Sequence, residues 1–262
     1  MKRVFYFTLL IFMTAITSSN AQKQPTELNI LAFSKTAGYR HGAIPQSLTA
    51  IGRLAERNNW KVTATEEADV FNSNDLPEFD LVMFVHTTKN ILNESQQQAL
   101  KDFVENGGGL LTLHTGADTE YEWPWYVEAI GASFVGHPPS QKGKLIIEDR
   151  SHPATEHFPD SVWIITDEWY SFDRNPRTDV HVLISIDENS YDVDDNRWFK
   201  GVQQRMGDHP LVWYREVGKG RVFQTALGHE PELYHNPLFL NIWREPCGGP
   251  QESKRKIQTQ ND

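Results

Sequence analysis

The feature that most limits this chain is the alternation of short apolar runs with amphipathic stretches in its first half. Leu28 to Phe33 (LNILAF) is apolar enough to be a parallel strand buried on both faces. After a polar loop, Ser34 to Gly42, the residues Ile44, Leu48, Ile51, Leu54 and Ala55 recur at helical spacing. Lys61 to Thr65 is β-branched and strand-like, and Asp80 to Val85 (DLVMFV) is another apolar strand. Asn93, with Gln96 three residues on, has the form of a helix cap, and the helix it opens carries Leu100, Phe103 and Val104 on its apolar face. Gly107 ends that helix, and Gly108-Gly109 leads into a strand, Leu110 to Leu113. Strand, helix, strand, strand, helix, strand predicts an α/β fold built on a doubly wound parallel sheet. The second half is richer in strands: Lys144 to Ile147, Val162 to Ile165, Val180 to Ile186, Leu211 to Arg215 and Arg221 to Leu227, the last two joined by a hairpin turn at Gly218-Lys219-Gly220. Neither an internal repeat nor a Pro/Gly-rich linker divides the chain. The expectation is one α/β domain over residues 22–247 with a β-rich extension, then a polar, disordered tail over 248–262.

The first 21 residues stand apart from that domain. Met1-Lys2-Arg3 is basic, Val4 to Ile16 is almost wholly apolar, and Ser19-Asn20-Ala21 fits the small-x-small cleavage pattern. The run is short for a membrane span, and no Cys follows it to take a lipid. A cleavable signal peptide is expected, with Gln22 as the mature N-terminus and a periplasmic or secreted location. Losing Lys2 and Arg3 takes the net charge from −10 to −12. Such an acidic chain lacks the cationic footprint of a nucleic-acid binder. One Cys excludes an internal disulfide framework and any multi-cysteine metal site.

The polar chemistry sits in histidines, and four of them follow predicted strands. Strand one runs on to Tyr39-Arg40-His41, DLVMFV to His86, LLTL to His114, and the late strand to His229. Open parallel sheets bind ligands at the carboxyl ends of their strands, so four parallel strands would bring these imidazoles to one rim. Two uses fit such a set: acid/base catalysis, or a divalent metal ion held by His41, His86, His114 and His229. The residues name no other cofactor. Asp187 to Asp195 is acidic but lacks the spacing of a calcium loop and reads as solvated.

GGGLLTLHTGAD (residues 107–118) resembles the nucleophile turn of class I glutamine amidotransferase-like folds, and GHEPE (228–232) resembles the His-Pro-Glu that completes their triad. His114 stands where those enzymes carry a nucleophilic Cys, and Cys247 lies too far along to replace it, so a glutaminase thiol mechanism fails. The fuller pattern is similar to the trehalose-utilisation (ThuA-like) family. It is carried by KTAGYRHGAIP (35–45), LHTGADTEYEWPWY (113–126), GHP (136–138), ITDEWYSF (165–172) and HPLVWYREVGKGRVFQTALGH (209–229), which together span nearly the whole mature chain. Where that family reads LHAA, this chain has Leu113-His114-Thr115-Gly116. The resemblance implies a doubly wound sheet of the class I glutamine amidotransferase-like (flavodoxin-like) type. It also implies a role in carbohydrate use, beside oxidoreductases that make 3-keto sugars.

The expected roles follow. His114 and His229 are the candidate catalytic imidazoles, His229 oriented by the carboxylate of Glu232. Tyr39, Arg40, His41, His86 and His137 are candidates for substrate oxygens, Arg40 having a loop-holding salt bridge as its alternative. Asp167, Glu168, Trp169 and Tyr170 mix carboxylates with flat rings, as a sugar site needs. Tyr121, Trp123, Trp125 and Tyr126 form a second aromatic group, read as core of a short helix opened by Pro124. The leading expectation is an exported enzyme acting on a sugar or 3-keto-glycoside by hydrolysis, elimination–hydration or isomerisation. Proton transfer by His, with metal assistance as one version, would drive it. A non-catalytic periplasmic sugar-binding protein and a metal-dependent hydrolase of another small substrate are the alternatives. The expected partner is a small carbohydrate, with no stable membrane insertion after cleavage.

Overall fold

The computed structural model describes residues 28–243. The expected signal peptide (1–21), Cys247 and the polar tail (248–262) lie outside the described residues. Among the described residues no helix is long and apolar enough to cross a membrane.

The first half alternates as its apolar pattern requires: β1 (Asn29–Phe33), α1 (Ile44–Asn58), β2 (Lys61–Thr65), β3 (Leu81–Val85), α2 (Glu94–Glu105) and β4 (Gly109–Leu113). Strands β3 and β4 are buried along their full length, the mark of central parallel strands covered on both faces. Helix α1 starts with Pro45 in its first turn and buries Ile44, Ala50, Ile51, Leu54 and Ala55. At the start of α2 the expected cap is complete: the Asn93 side chain accepts from the Gln96 backbone N–H, while the Gln96 side chain accepts from the Asn93 backbone N–H.

The second half adds α3 (Pro124–Ile130), β5 (Phe134–Gly136), β6 (Gln141–Ile147), β7 (Val162–Asp167), β8 (Ser171–Phe172), β9 (His181–Ile186), β10 (Pro210–Val217), β11 (Gly220–Thr225) and α4 (Pro237–Ile242). Nine strands form one sheet in the order β2-β1-β3-β4-β11-β10-β9-β6-β7, and β5 pairs with β8 in a small second sheet. Strands β2, β1, β3, β4 and β11 are mutually parallel; β10, β9, β6 and β7 then continue antiparallel. The fold is thus α/β, a parallel half joined to a β-rich antiparallel half.

This topology decides where a site can form. The order reverses between β1 and β3, so right-handed crossovers put α1 and α2 on opposite faces and leave a crevice at the carboxyl ends of those two strands. Register pairs Val85 with Leu113 and Leu113 with Thr225, so His86 and His114 leave the sheet side by side. Strand β7 is four antiparallel steps from β11 and so points the same way; its carboxyl end, Asp167, returns to the same rim. Strand β11 stops two residues short of the expected Leu227, because the Leu227 N–H turns to Thr225 Oγ1. The small β5–β8 sheet and α4 are too short to leave a periodic signal.

Candidate active site

The structure brings His41, His86, His114 and His229 together. Ring centroids lie 5.0 Å apart for His41–His114, 5.3 Å for His41–His86, His41–His229 and His114–His229, and 5.6 Å for His86–His114. Backbone geometry puts two of them there: His86 and His114 both have positive φ, +52° and +55°. Such a conformation costs a non-glycine residue about 1–3 kcal/mol and persists only where the surroundings enforce it. At His114 it makes the sharp strand-to-helix turn that aims the imidazole out of the top of the sheet.

Hydrogen bonds fix the rings. His114 Nδ1 donates to the Ala226 carbonyl at 2.7 Å, which leaves Nε2 as its unprotonated nitrogen. Tyr234 Oη donates to the Gly228 carbonyl at 2.8 Å and so accepts from His86 Nε2 at 2.7 Å. His86 is therefore tied to the floor of the site by its outer nitrogen. Gly228 has φ +117°, and a Cβ there would lie 2.7 Å from Tyr234 Oη, so only glycine suits this turn.

Glu168 sits at the centre of the cluster. Its Oε2 lies 3.4 Å from His114 Nε2 and 3.2 Å from His229 Nδ1, and its Oε1 lies 3.0 Å from His137 Nδ1. Neither His114 Nε2 nor His229 Nδ1 makes an aligned hydrogen bond, and His41 Nδ1 is likewise buried without a partner. One ligand atom from each of His41, His114, Glu168 and His229 can be chosen so that all four lie within 4.8 Å of one another. Burial alone would raise the Glu168 carboxyl, but contact with His114 and His229 holds it below the usual carboxylate range. Burial, joined by the neighbouring His114 and His229, pushes His41 far below the usual imidazole range. Burial opposes charge on His229 too, yet Glu168 outweighs it and holds that imidazole above its ordinary value. This is a compact polar centre with one carboxylate, and the buried ring of Tyr170 lies against His114.

Several expectations need correction. Glu232 is exposed in the 3-10 turn Pro231–His235, and the carboxylate that meets His229 is Glu168. Among the four metal candidates, His86 gives way to Glu168: the ligand atoms that gather within 4.8 Å come from His41, His114, Glu168 and His229, while His86 is anchored to Tyr234 through Nε2 and its Nδ1 is buried without a partner. Asp167 faces backbone, not substrate: its two oxygens accept from the N–H groups of Gly228 and Glu230 at 2.8 and 3.1 Å, holding the loop that carries His229. Burial raises its carboxyl to about 6. Trp169 is wholly buried and packs beside Gly143, so it is core and no sugar platform. Tyr170 is also buried, its ring 4.3 Å from that of His114, backing the site from behind. Arg40 pairs with Glu66 at 2.6 Å, the loop-holding alternative. Tyr126 is core, Trp123 stacks on it, and Trp125 lies tilted against Trp123.

Two exposed rings border the cluster. Tyr39 is 68% exposed and meets His41 edge-on at 4.8 Å; Trp198 is 59% exposed and lies 5.5 Å from His137. Sequence reasoning missed Trp198, although Trp198-Phe199 is a conspicuous aromatic pair at the end of an acidic run. The Thr115-Gly116 departure also has a cause here. A Cβ on residue 116 would lie 2.2 Å from Thr112 Cβ, so Thr112 occupies the space a second alanine would need. A separate apolar cleft lined by Leu76, Phe79 and Phe103 lies at the amino ends of β3 and β4, away from all of these groups.

The comparisons agree with this architecture. A solved ThuA-like protein from Bacteroides uniformis is 22% identical with a TM-score of 0.68, over 87% of this chain and 94% of that one. A second, from Parabacteroides merdae, is 18% identical with a TM-score of 0.62, over 86% and 91%. A β-galactosidase from Bacillus circulans sp. alkalophilus shares the fold at a TM-score of 0.51 and 12% identity, over 86% of this chain but 32% of that one. A search of curated proteins gave no significant match. The family described as trehalose utilisation, ThuA, matches residues 29–246, and the chain belongs to that family.

Proposed function

We propose that this protein is an exported carbohydrate-active enzyme whose substrate is an oxidised, 3-keto glycoside. The observation that carries the reading is the convergence of His41, His114, His229 and Glu168 at the carboxyl rim of the sheet in a trehalose-utilisation protein. Export rests on the basic, apolar and small-residue order of the first 21 residues.

A carbonyl on the sugar ring acidifies the neighbouring C–H, so the site must do two things: hold the carbonyl oxygen as negative charge develops, and accept the proton. The central cluster does the first. His137 suits the second. Its Nδ1 lies 2.9 Å from the Pro138 carbonyl and 3.0 Å from Glu168 Oε1. Both partners only accept, so Nδ1 carries the hydrogen and Nε2 the lone pair. Burial, partly offset by Glu168, holds His137 below the usual imidazole range and so keeps it neutral, with its lone pair free to take a proton.

His137 takes the proton beside the carbonyl, and the electron pair moves onto the carbonyl oxygen. Collapse expels the glycosidic oxygen two carbons from the carbonyl, and the proton His137 took passes to that oxygen, so it leaves as the free alcohol. Water adds across the resulting enone, and the net reaction is hydrolysis without oxidation or reduction. Return of the proton to the opposite face would instead give an isomer. The apolar C–H face of the sugar stacks on Trp198.

The test is incubation of the purified protein with native and 3-keto disaccharides, reading products by mass spectrometry, beside a His114→Ala variant with an unchanged circular dichroism spectrum. Turnover of the keto form only, abolished in the variant, supports the reading. Ligand-induced thermal stabilisation without product would make the protein a sugar-binding module, and full activity of His114→Ala would remove the cluster from the chemistry.

A further inference from the structure

The geometry points to a divalent transition-metal ion bound by His41 Nδ1, His114 Nε2, His229 Nδ1 and Glu168 Oε2. The inference deepens the proposed function: the ion's use in turnover rests on that reading, whereas its binding does not.

An acid/base set and a metal site differ in what their nitrogens face. In a hydrogen-bonded acid/base set, each ring nitrogen aims along a line at its partner. Here four imidazole nitrogens are buried with no aligned hydrogen-bond partner, one on each of His41, His86, His114 and His229, and those of His41, His114 and His229 belong to residues whose ligand atoms gather with Glu168 within 4.8 Å. Buried polar atoms in folded proteins are rarely left so, and three beside one carboxylate call for a common partner. Two spacings match an ion among them: 3.4 Å from His114 Nε2 and 3.2 Å from His229 Nδ1 to the same Glu168 oxygen. Ligands about 2.0–2.1 Å from a tetrahedral zinc ion stand roughly 3.3 Å from one another.

The surroundings prepare the same ligands. The Ala226 carbonyl takes the hydrogen of His114 Nδ1, which makes Nε2 the donor. Glu168 Oε1 is held by His137, which leaves Oε2 for the ion. Asp167 fixes the Gly228–Glu230 backbone around His229. Three imidazoles and one carboxylate suit zinc or another late first-row divalent ion, while calcium and magnesium prefer all-oxygen sets. The His229 side chain is 27% exposed, so the cluster opens to solvent on that side, where a substrate oxygen would join the ion. The ion would then polarise that oxygen as a Lewis acid.

The experiment is cobalt and zinc titration of the full mature protein after chelator treatment, followed by visible absorption and calorimetry. Wild type should bind about one ion per chain, with cobalt d–d bands of a nitrogen-rich site and a rise in melting temperature. His41→Ala and Glu168→Gln should each weaken binding by at least about tenfold, while the surface variant His181→Ala should bind as wild type does. Absence of stoichiometric binding to wild type would overturn the inference whatever the variants do. Binding that His41→Ala and Glu168→Gln leave intact would overturn it as well. The two proposals separate cleanly: failure of wild type to bind either metal, with keto-sugar turnover intact, rejects the ion and keeps the carbohydrate reading, and tight binding without turnover does the reverse.

Discussion

Asp167 offers a prediction with a magnitude that can be worked from the structure. Its side chain is wholly buried and accepts from Gly228 N at 2.8 Å and Glu230 N at 3.1 Å, the two backbone groups that flank His229. Asp167→Ala removes both acceptors. The Gly228 N–H is left buried and unpaired, at about 1–3 kcal/mol, while the Glu230 N–H is partly wetted and costs roughly 1 kcal/mol. Part of this is offset, because burying the carboxylate is itself unfavourable, as its raised titration to about 6 reflects. The net is about 2–3 kcal/mol, and at roughly 2–4 °C per kcal/mol for a domain of this size the melting temperature should fall by about 4–12 °C. Asp167→Asn should not restore it: an amide offers one oxygen, and its NH2 would face the second N–H. Turnover should fall further than stability accounts for, because His229 loses its fixed position, and the loss should sit in kcat more than in KM. Thermal melts of both variants with steady-state kinetics below the melting range make the assay. A melting temperature within about 1 °C of wild type, together with unchanged kcat, would refute the argument that this carboxylate positions the His229 loop.

Trp198 and Trp169 should separate. Trp198→Ala should raise KM with little change in melting temperature, since that ring is 59% exposed, whereas the buried Trp169→Ala should cost about 3–5 kcal/mol by urea denaturation. Gly228→Ala forces a side chain into φ +117° and against Tyr234 Oη, so a loss of about 1–3 kcal/mol is expected by the same measurement. Arg177 grips both Glu148 and Asp208, holding each carboxyl below its usual range. Depressed carboxylates contribute stability above their unfolded titration near pH 4, lost as pH falls through the lower folded values. Arg177→Ala should therefore be less stable than wild type by about 1 kcal/mol at pH 7, after screening of these half-exposed groups, and the gap should close towards pH 3. A gap that widens on acidification would contradict the sign.

The parallel half of the fold was legible because its signals are local. LNILAF, DLVMFV and LLTL carry their burial in their composition, and Asn93 with Gln96 announces the cap of α2 within four residues. The four histidines were readable for the same reason: each follows such a strand, and parallel neighbours share a rim. Glu168 was readable as a site candidate but not as the centre, because its place depends on four antiparallel steps returning β7 to the direction of β11. Nothing local distinguishes Asp167, which grips backbone, from Glu168, which enters the cluster; the difference is set by a contact to a loop sixty residues away. Glu232 drew the eye by proximity to His229 in sequence, where a 3-10 turn carries it outward. Trp169 and Trp198 illustrate the same limit, since aromatic composition does not tell a buried ring from an exposed one.

The proposed chemistry turns on one step, in which His137 takes a proton from the carbon beside a sugar carbonyl while the histidine–Glu168 cluster holds the carbonyl oxygen. The most direct measurement is turnover of a 3-keto disaccharide in deuterated water, with the position of any label read by mass spectrometry and NMR. Deuterium is expected at the carbon beside the carbonyl, in product or in recovered substrate, and should disappear in His137→Ala. Product formed without label at that carbon, or labelling unaffected by loss of His137, would contradict it.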